Sequence, residues 1–232
     1  MRNLPCPTQV DLYLFSIDPN DYDEKEFLSI LSAEEQEKAN KFHFPSLQKK
    51  YVISHGMMRQ LIASYIACNP RDIRYHFNAF GKPELVIPSC PLHFNLSHSE
   101  QFAALAIASH PVGADIEQIK PLEDYVSLTR HFLSIKERKS FCQLAADDQQ
   151  LAFYRAWTRK EAYIKAIGMG LSYPVEQVTI SFDEQPQLLE DRANPMNVEK
   201  LSIVSFEHKD YLGAVAIPKD YTVEIKKISL QS

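Results

Sequence analysis

The chain has 232 residues, 45% of them hydrophobic and 24% charged, with a formal net charge of −5. That is enough apolar sequence to fill a core in one large domain or two small ones without disulfide or metal staples. The negative balance excludes a global attraction to nucleic acid. The four scattered cysteines (Cys6, Cys68, Cys90, Cys142) include no CxxC pair and fit a reduced cytoplasmic protein. No run approaches the ~18 apolar residues of a membrane span, and Met1 to Asp11 lacks the apolar core of a signal peptide.

Val10 to Ile17 alternates and carries aromatics, which predicts a strand. Asp18 to Asp23 reads as turns. Ser32-Ala-Glu-Glu35 is a capping-box pattern opening a helix; Pro45 ends it, and a second helix is expected from about Leu47 to Ala67. Ile73 to Phe77 reads as a strand, Asn78 to Pro83 as a loop ending in Gly81-Lys82-Pro83, and Val86 to Asn95 as irregular. The apolar run Phe102 to Ala108 reads as a buried strand, with Val112 to Glu117 returning as its hairpin partner. Helices are expected from about Leu122 to Phe132 and from Ser134 to Leu144. Strands are expected at Val178–Phe182, Leu201–Phe206, Tyr211–Ile217 and Tyr221–Ile228, with Glu184 to Lys200 a loose loop.

Phe153 to Leu171 organises the rest. Tyr154, Trp157, Glu161, Ile164 and Lys165 recur at spacings of three and four, so they share a side of one helix, which Gly168 stops. Glu161 lies inside that stripe, where a carboxylate must be paired or else sit at a solvated edge. Asp115 and Glu117 are two apart on a strand and point to one face. They are either its solvated face or, if they converge, a pair whose repulsion of about 4 kcal/mol a cation would relieve. All-oxygen donors favour Mg²⁺, or Mn²⁺, over zinc.

A second capping box, Ser134-Ile-Lys-Glu137, lies 102 residues after the first. An ungapped offset of 102 sets Arg59 opposite Glu161 and implies one metal site rather than two. The expectation is an α+β fold of two similar halves, 1–110 and 111–232, related by a pseudo-twofold with the active site in the cleft between them.

Four motifs in order then resemble one family. Gly113-Ala-Asp115-Ile-Glu117 and Trp157-Thr-Arg-Lys160-Glu161-Ala-x-x-Lys165-x-x-Gly168-x-Gly170-Leu171 are similar to the two signatures of 4′-phosphopantetheinyl transferases. Gly81-Lys82-Pro83 and Phe94-Asn-Leu-Ser97-His98-Ser99 resemble the upstream motifs of their monomeric, two-halved class. The resemblance implies Mg²⁺-dependent transfer of phosphopantetheine from coenzyme A to a serine of an apo acyl or peptidyl carrier protein. Asp115, Glu117 and Glu161 would hold the metal. Glu161, directly or through a metal-bound water, would take the serine proton, with Asp115 and Lys165 also catalytic. Lys38, Lys82, Ser97, His98, Lys160 and Lys165 would grip coenzyme A. The carrier, an acidic helical protein, would dock transiently near Ile119–Lys139, a basic and apolar stretch. The implied enzyme is a cytoplasmic monomer with no nucleic-acid or membrane partner. The alternatives are a non-catalytic module binding coenzyme A or carrier protein, which the presence of all three acids disfavours, and a Mg²⁺-dependent phosphohydrolase.

Overall fold

A computed structural model describes residues 6–86 and 91–228. The chain opens with strand β1 (Gln9–Ser16), then helices α1 (Glu24–Leu28), α2 (Ala33–Asn40) and α3 (Pro45–Ile66), and strands β2 (Tyr75–Phe77), β3 (Pro83–Leu85), β4 (His93–Ser99) and β5 (Phe102–Ala108). It continues with β6 (Gly113–Gln118), α4 (Tyr125–Phe132), α5 (Ile135–Phe141), α6 (Ala146–Ile167), β7 (Val178–Ile180), β8 (Leu188–Asp191), α7 (Asn197–Lys200), β9 (Leu201–His208), β10 (Tyr211–Pro218) and β11 (Thr222–Lys227). Among the described residues no helix is long and apolar enough to cross a membrane.

The fold is α+β. One sheet has the order β11-β1-β5-β4 and a second the order β6-β10-β9; β2–β3 and β7–β8 are separate hairpins. The first sheet is covered on both faces, so β5 reads as a continuous apolar run. Phe15, Ile17, Ala103, Leu105 and Ile107 pack with Ile53, Met57 and Ile62 of α3. The alternate residues, Val10, Leu12, Leu14, Ala104 and Ala106, pack with Ala114, Ile116, Val215 and Ile217 of the second sheet. The far face of that sheet receives Ala162, Ile164 and Ala166 of α6. At Gly113 the approach is so close that an added Cβ would lie 2.1 Å from the Ala162 carbonyl oxygen, which is why glycine stands there.

Three expectations change. β6 is not the hairpin partner of β5: β5 pairs with β1 and β4, while β6 pairs with β10. After Pro111 the chain leaves the first sheet, and the alternation of β6 puts Ala114 and Ile116 against it face to face. Nor is Glu184–Lys200 a loose loop. It holds β8 and α7, pinned by the buried Asp191, whose carboxylate accepts from Tyr163 Oη, Tyr173 Oη, Asn197 Nδ2 and the Ala193 and Asn194 amides. Asp18–Asp23 leads into the short helix α1, and Pro45 begins α3 instead of ending a helix, because its fixed φ and missing N–H suit the first helical position. Part of the irregular stretch before β4, residues 87–90, lies outside the described residues.

The order of elements repeats. Ladders β1-β5-β4 and β6-β10-β9 hold matching strands of the two stretches, except that the last strand, β11, joins the first sheet beside β1. Both capping boxes form. The two 22-residue helices, α3 and α6, begin at Pro45 and Ala146, so their offset is 101 and not 102. In that register Arg59 matches Lys160, and the match is chemical. Arg59 Nε donates to Glu35 of the first box at 2.6 Å, and Lys160 Nζ to Glu137 of the second at 2.6 Å. The position opposite Glu161 is Gln60.

Candidate active site

The site grows from two strand edges and one helix. On β6, Asp115 and Glu117 lie on the same side as Gly113, facing α6. On β4, Asn95, Ser97 and Ser99 recur at period two and meet β6 rung by rung. Asn95 Oδ1 accepts from the Ala114 amide at 2.8 Å, Ser97 Oγ donates to Asp115 Oδ1 at 2.8 Å, and Ser99 Oγ donates to Glu117 Oε2 at 2.7 Å. This polar ladder was visible in the sequence as Asn-x-Ser-x-Ser, but Asn95 and Ser99 were not among the expected site residues.

From α6, Lys165 Nζ donates to Asp115 Oδ1 at 2.5 Å and to Ser97 Oγ at 3.1 Å. Glu161, one helical turn earlier, is half-buried beside it. Burial raises the Asp115 carboxyl against the opposing pull of Lys165. Glu117 is raised by burial, with Asp115 adding to the effect. Glu161 is raised by burial, while Lys165 lowers it and Asp115 and Glu117 raise it. Three carboxyls thus share one field with a single ammonium. They do not close into a three-ligand cage among the described residues. Asp115 Oδ2, however, is buried with no hydrogen-bond partner, and an orphaned carboxylate oxygen among oxygen donors fits a hard divalent cation.

Two cavities lie along these elements, one at the acids and one on the opposite face of β4. One of about 450 Å³ is lined by Glu117 and Glu161 together with apolar groups such as Leu128, Phe132, Trp157 and Leu171. The other, about 620 Å³, lies between α2, α3, the β2–β3 hairpin and β4, and Lys38, Tyr51, His55, Arg74 and His98 line it. Lys38 stands 5.4 Å over the Tyr51 ring, and His55 stacks on the same ring at 3.8 Å. His55 Nδ1 lies 3.1 Å from the Tyr51 carbonyl oxygen, which can only accept, so Nδ1 carries the proton.

A model of the 4′-phosphopantetheinyl transferase N-terminal region matches residues 17–110, and one of the 4′-phosphopantetheinyl transferase superfamily matches residues 111–218. The 4′-phosphopantetheinyl transferase Sfp of Bacillus subtilis is 30% identical over 185 residues, covering 78% of this chain and 81% of its own. HetI of Nostoc sp., of the same description, is 30% identical over 176 residues, covering 75% and 74%. The chain belongs to the 4′-phosphopantetheinyl transferase superfamily. Among solved structures, the holo-[acyl-carrier-protein] synthase of Neisseria meningitidis matches at 19% identity and a TM-score of 0.38, covering 47% of this chain and 97% of that one.

In this transferase the expected coenzyme A ligands divide. Lys38 and His98 line the larger cavity, and burial lowers the His98 imidazole, with Lys165 and Lys50 adding to the effect. Three others are committed elsewhere. Lys160 is 1% exposed, and its ammonium donates to the carbonyls of Phe132, Val175 and Val178 and pairs with Glu137. It has no proton left for a ligand. Ser97 belongs to the acid ladder, between Asp115 and Lys165. Lys82 Nζ points away from the larger cavity and donates to the carbonyls of Lys165 and Val112; burial pushes its ammonium down to about 8. Each lysine satisfies backbone carbonyls that lie far from it along the chain, a demand that motif spacing does not reveal.

Proposed function

We propose that this transferase moves the 4′-phosphopantetheine group of coenzyme A onto a serine of an apo carrier protein and releases adenosine 3′,5′-bisphosphate. The observation that carries the metal-site reading is the unpartnered Asp115 Oδ2 inside a cluster of raised carboxyls. Asp115, Glu117 and Glu161 would hold Mg²⁺, with Mn²⁺ suiting the same donors. When bound, it supplies charge neutralisation at the diphosphate. Ser97 and Ser99 orient the two strand carboxylates from below.

The serine hydroxyl attacks the phosphorus that bears the pantetheine arm, and the bond from that phosphorus to the bridging oxygen breaks. Glu161, the acid that α6 brings to the strand pair, takes the serine proton as general base. Lys165 holds its positive charge where the leaving phosphate gains negative charge. The larger cavity takes coenzyme A, with Lys38, Arg74 and His98 as its polar contacts. The carrier docks over Ile119–Lys139. There Leu128 is exposed at the apolar cavity, and Val126, Arg130, Arg138 and Lys139 are exposed along the same stretch. Leu122, Tyr125 and Phe132 of the same stretch pack inward. On this reading the enzyme works as a monomer in the cytoplasm.

The test is incubation with coenzyme A, Mg²⁺ and a panel of apo acyl and peptidyl carrier proteins, followed by intact mass. A gain of one phosphopantetheine on a carrier serine is expected. Coenzyme A turnover that needs no carrier would assign a phosphohydrolase instead.

A further inference from the structure

The loop joining β2 to β3 is rigid by its own chemistry. Asn78 Oδ1 accepts from the amides of Phe80 and Lys82 at 2.9 and 3.0 Å, and Gly81 turns the chain at φ 86°. This turn aims two side chains at the other half of the molecule. Asn78 Nδ2 donates to the Gly168 carbonyl at 2.8 Å. Lys82 Nζ donates to the Lys165 carbonyl at 2.7 Å and the Val112 carbonyl at 3.0 Å. The first two acceptors lie at the C-terminal end of α6, where carbonyls lack helical donors and the helix dipole favours a cation. The third precedes β6. One ammonium therefore joins the start of the strand carrying Asp115 and Glu117 to the end of the helix carrying Glu161 and Lys165. The Asp115–Lys165 pair, at 2.5 Å, spans the same two elements.

We propose that Lys82 is a positioning residue, and that the 78–82 loop is a clamp from the first half that fixes β6 against α6 so that Asp115, Glu161 and Lys165 hold their working geometry. The proposal rests on the transferase reading above. It assigns Lys82 to the turnover step and not to coenzyme A affinity, because its donors are spent on the scaffold. A displacement of about 1 Å at reacting groups can cost about 100-fold in rate, so a loosened clamp acts on kcat.

The experiment compares wild type, Lys82→Met and Lys82→Arg in steady-state transfer to an apo carrier protein, with hydrogen exchange on the same proteins. For Lys82→Met, kcat should fall about 10- to 100-fold while the KM for coenzyme A stays within about threefold. The amides of Ala166 to Gly168 should exchange faster. Lys82→Arg, which keeps charge and donors, should recover most of kcat. A tenfold or greater rise in the KM for coenzyme A would make Lys82 a ligand and overturn the proposal, as would unchanged kcat or unchanged exchange at the end of α6. If Lys82→Met does not fold, Lys82→Gln, which keeps a polar donor but not the charge or the reach, is read in the same way: a fall in kcat at an unchanged coenzyme A KM supports the clamp, and a tenfold rise in that KM overturns it. Wild type that transfers nothing defeats the transferase reading, whereas the exchange result still judges the clamp.

Discussion

The stretches around α3 and α6 solve one structural problem in the same way and then differ at the next residue and on the neighbouring strand. In each, a capping-box glutamate at the start of a short helix takes a buried cation from the following 22-residue helix, and that cation also binds two or three backbone carbonyls outside its own helix. Arg59 pairs with Glu35 and donates to the Pro70 and Ile73 carbonyls; Lys160 pairs with Glu137 and donates to those of Phe132, Val175 and Val178. The next residue differs. Gln60 follows Arg59, whereas Glu161 follows Lys160 and faces Asp115 and Glu117. On the strands, Asp11 is already matched by Tyr65 Oη and Lys226, while Asp115 keeps an unpartnered oxygen. The shared frame is structural; the cluster of three raised carboxyls belongs to β6 and α6.

The largest effect should come from the residue that breaks the likeness. Glu161→Gln should lower kcat at least about 1000-fold, equivalent to about 4 kcal/mol of barrier, with the melting temperature at pH 7 unchanged or slightly higher, because a raised carboxyl is removed. Gln60→Glu, the reciprocal change, should leave transfer intact. Steady-state kinetics and thermal melts check both; a Glu161→Gln enzyme with near-normal kcat would remove the acid from the mechanism.

The shared feature comes next. Lys160→Met leaves Glu137 buried without its cation, at a cost of about 3–5 kcal/mol, or roughly 2–4 °C of melting temperature per kcal/mol for a chain of this size. Arg59→Leu should cost less, because Glu35 is more exposed than Glu137, with side-chain exposures of 12% and 2%. Denaturant titrations of the two variants would sharpen the comparison; equal losses would mean that burial of the glutamate does not set the cost.

Acid sensitivity should divide the halves as well. His55 matches Ala156 of α6. Burial, with Lys38 adding to it, pushes the His55 imidazole down to about 3. The unfolded chain, with a histidine near 6.5, then binds the proton that the folded one refuses. The stability that neutral His55 contributes is present above pH 6.5 and is lost as the pH falls toward 3. Melts from pH 7 to 4 should show a decline of several degrees that His55→Phe reduces. An identical decline in the variant would place the acid-labile group elsewhere.

The smallest effect is expected at the docking surface. Arg130→Glu with Lys136→Glu should raise the carrier KM several-fold and leave the KM for coenzyme A alone, and wild-type transfer should slow as salt shortens the Debye length from about 10 to 3 Å. Lys136 already pairs with Glu190 at 3.1 Å, so Arg130 should carry more of the effect. An unchanged carrier KM would move docking away from α4.

The sequence by itself determined most of the elements and the family. Period-two and period-3.6 patterns place β1, α3 and α6, because burial of one face is written locally, and an unbroken apolar run places β5. Two Ser-x-x-Glu boxes form as local hydrogen bonds require, and Asp115, Glu117 and Glu161 stand out as acids on strand and helix faces, though only the family resemblance joins them into one set. Tertiary structure alone decided what each lysine does. Lys82, Lys160 and Lys165 all stand in motifs, yet Lys160 neutralises a capping-box glutamate, Lys82 ties two carbonyls across the halves, and Lys165 meets Asp115. A flexible ammonium goes to whichever unpaired acceptors the fold brings near, and those lie 15 to 83 residues away along the chain. The pairing of β6 with β10 instead of β5, and the 101-residue register, also waited for the fold. Both depend on which sheet edges remain free once the cores have packed, and no local pattern records that.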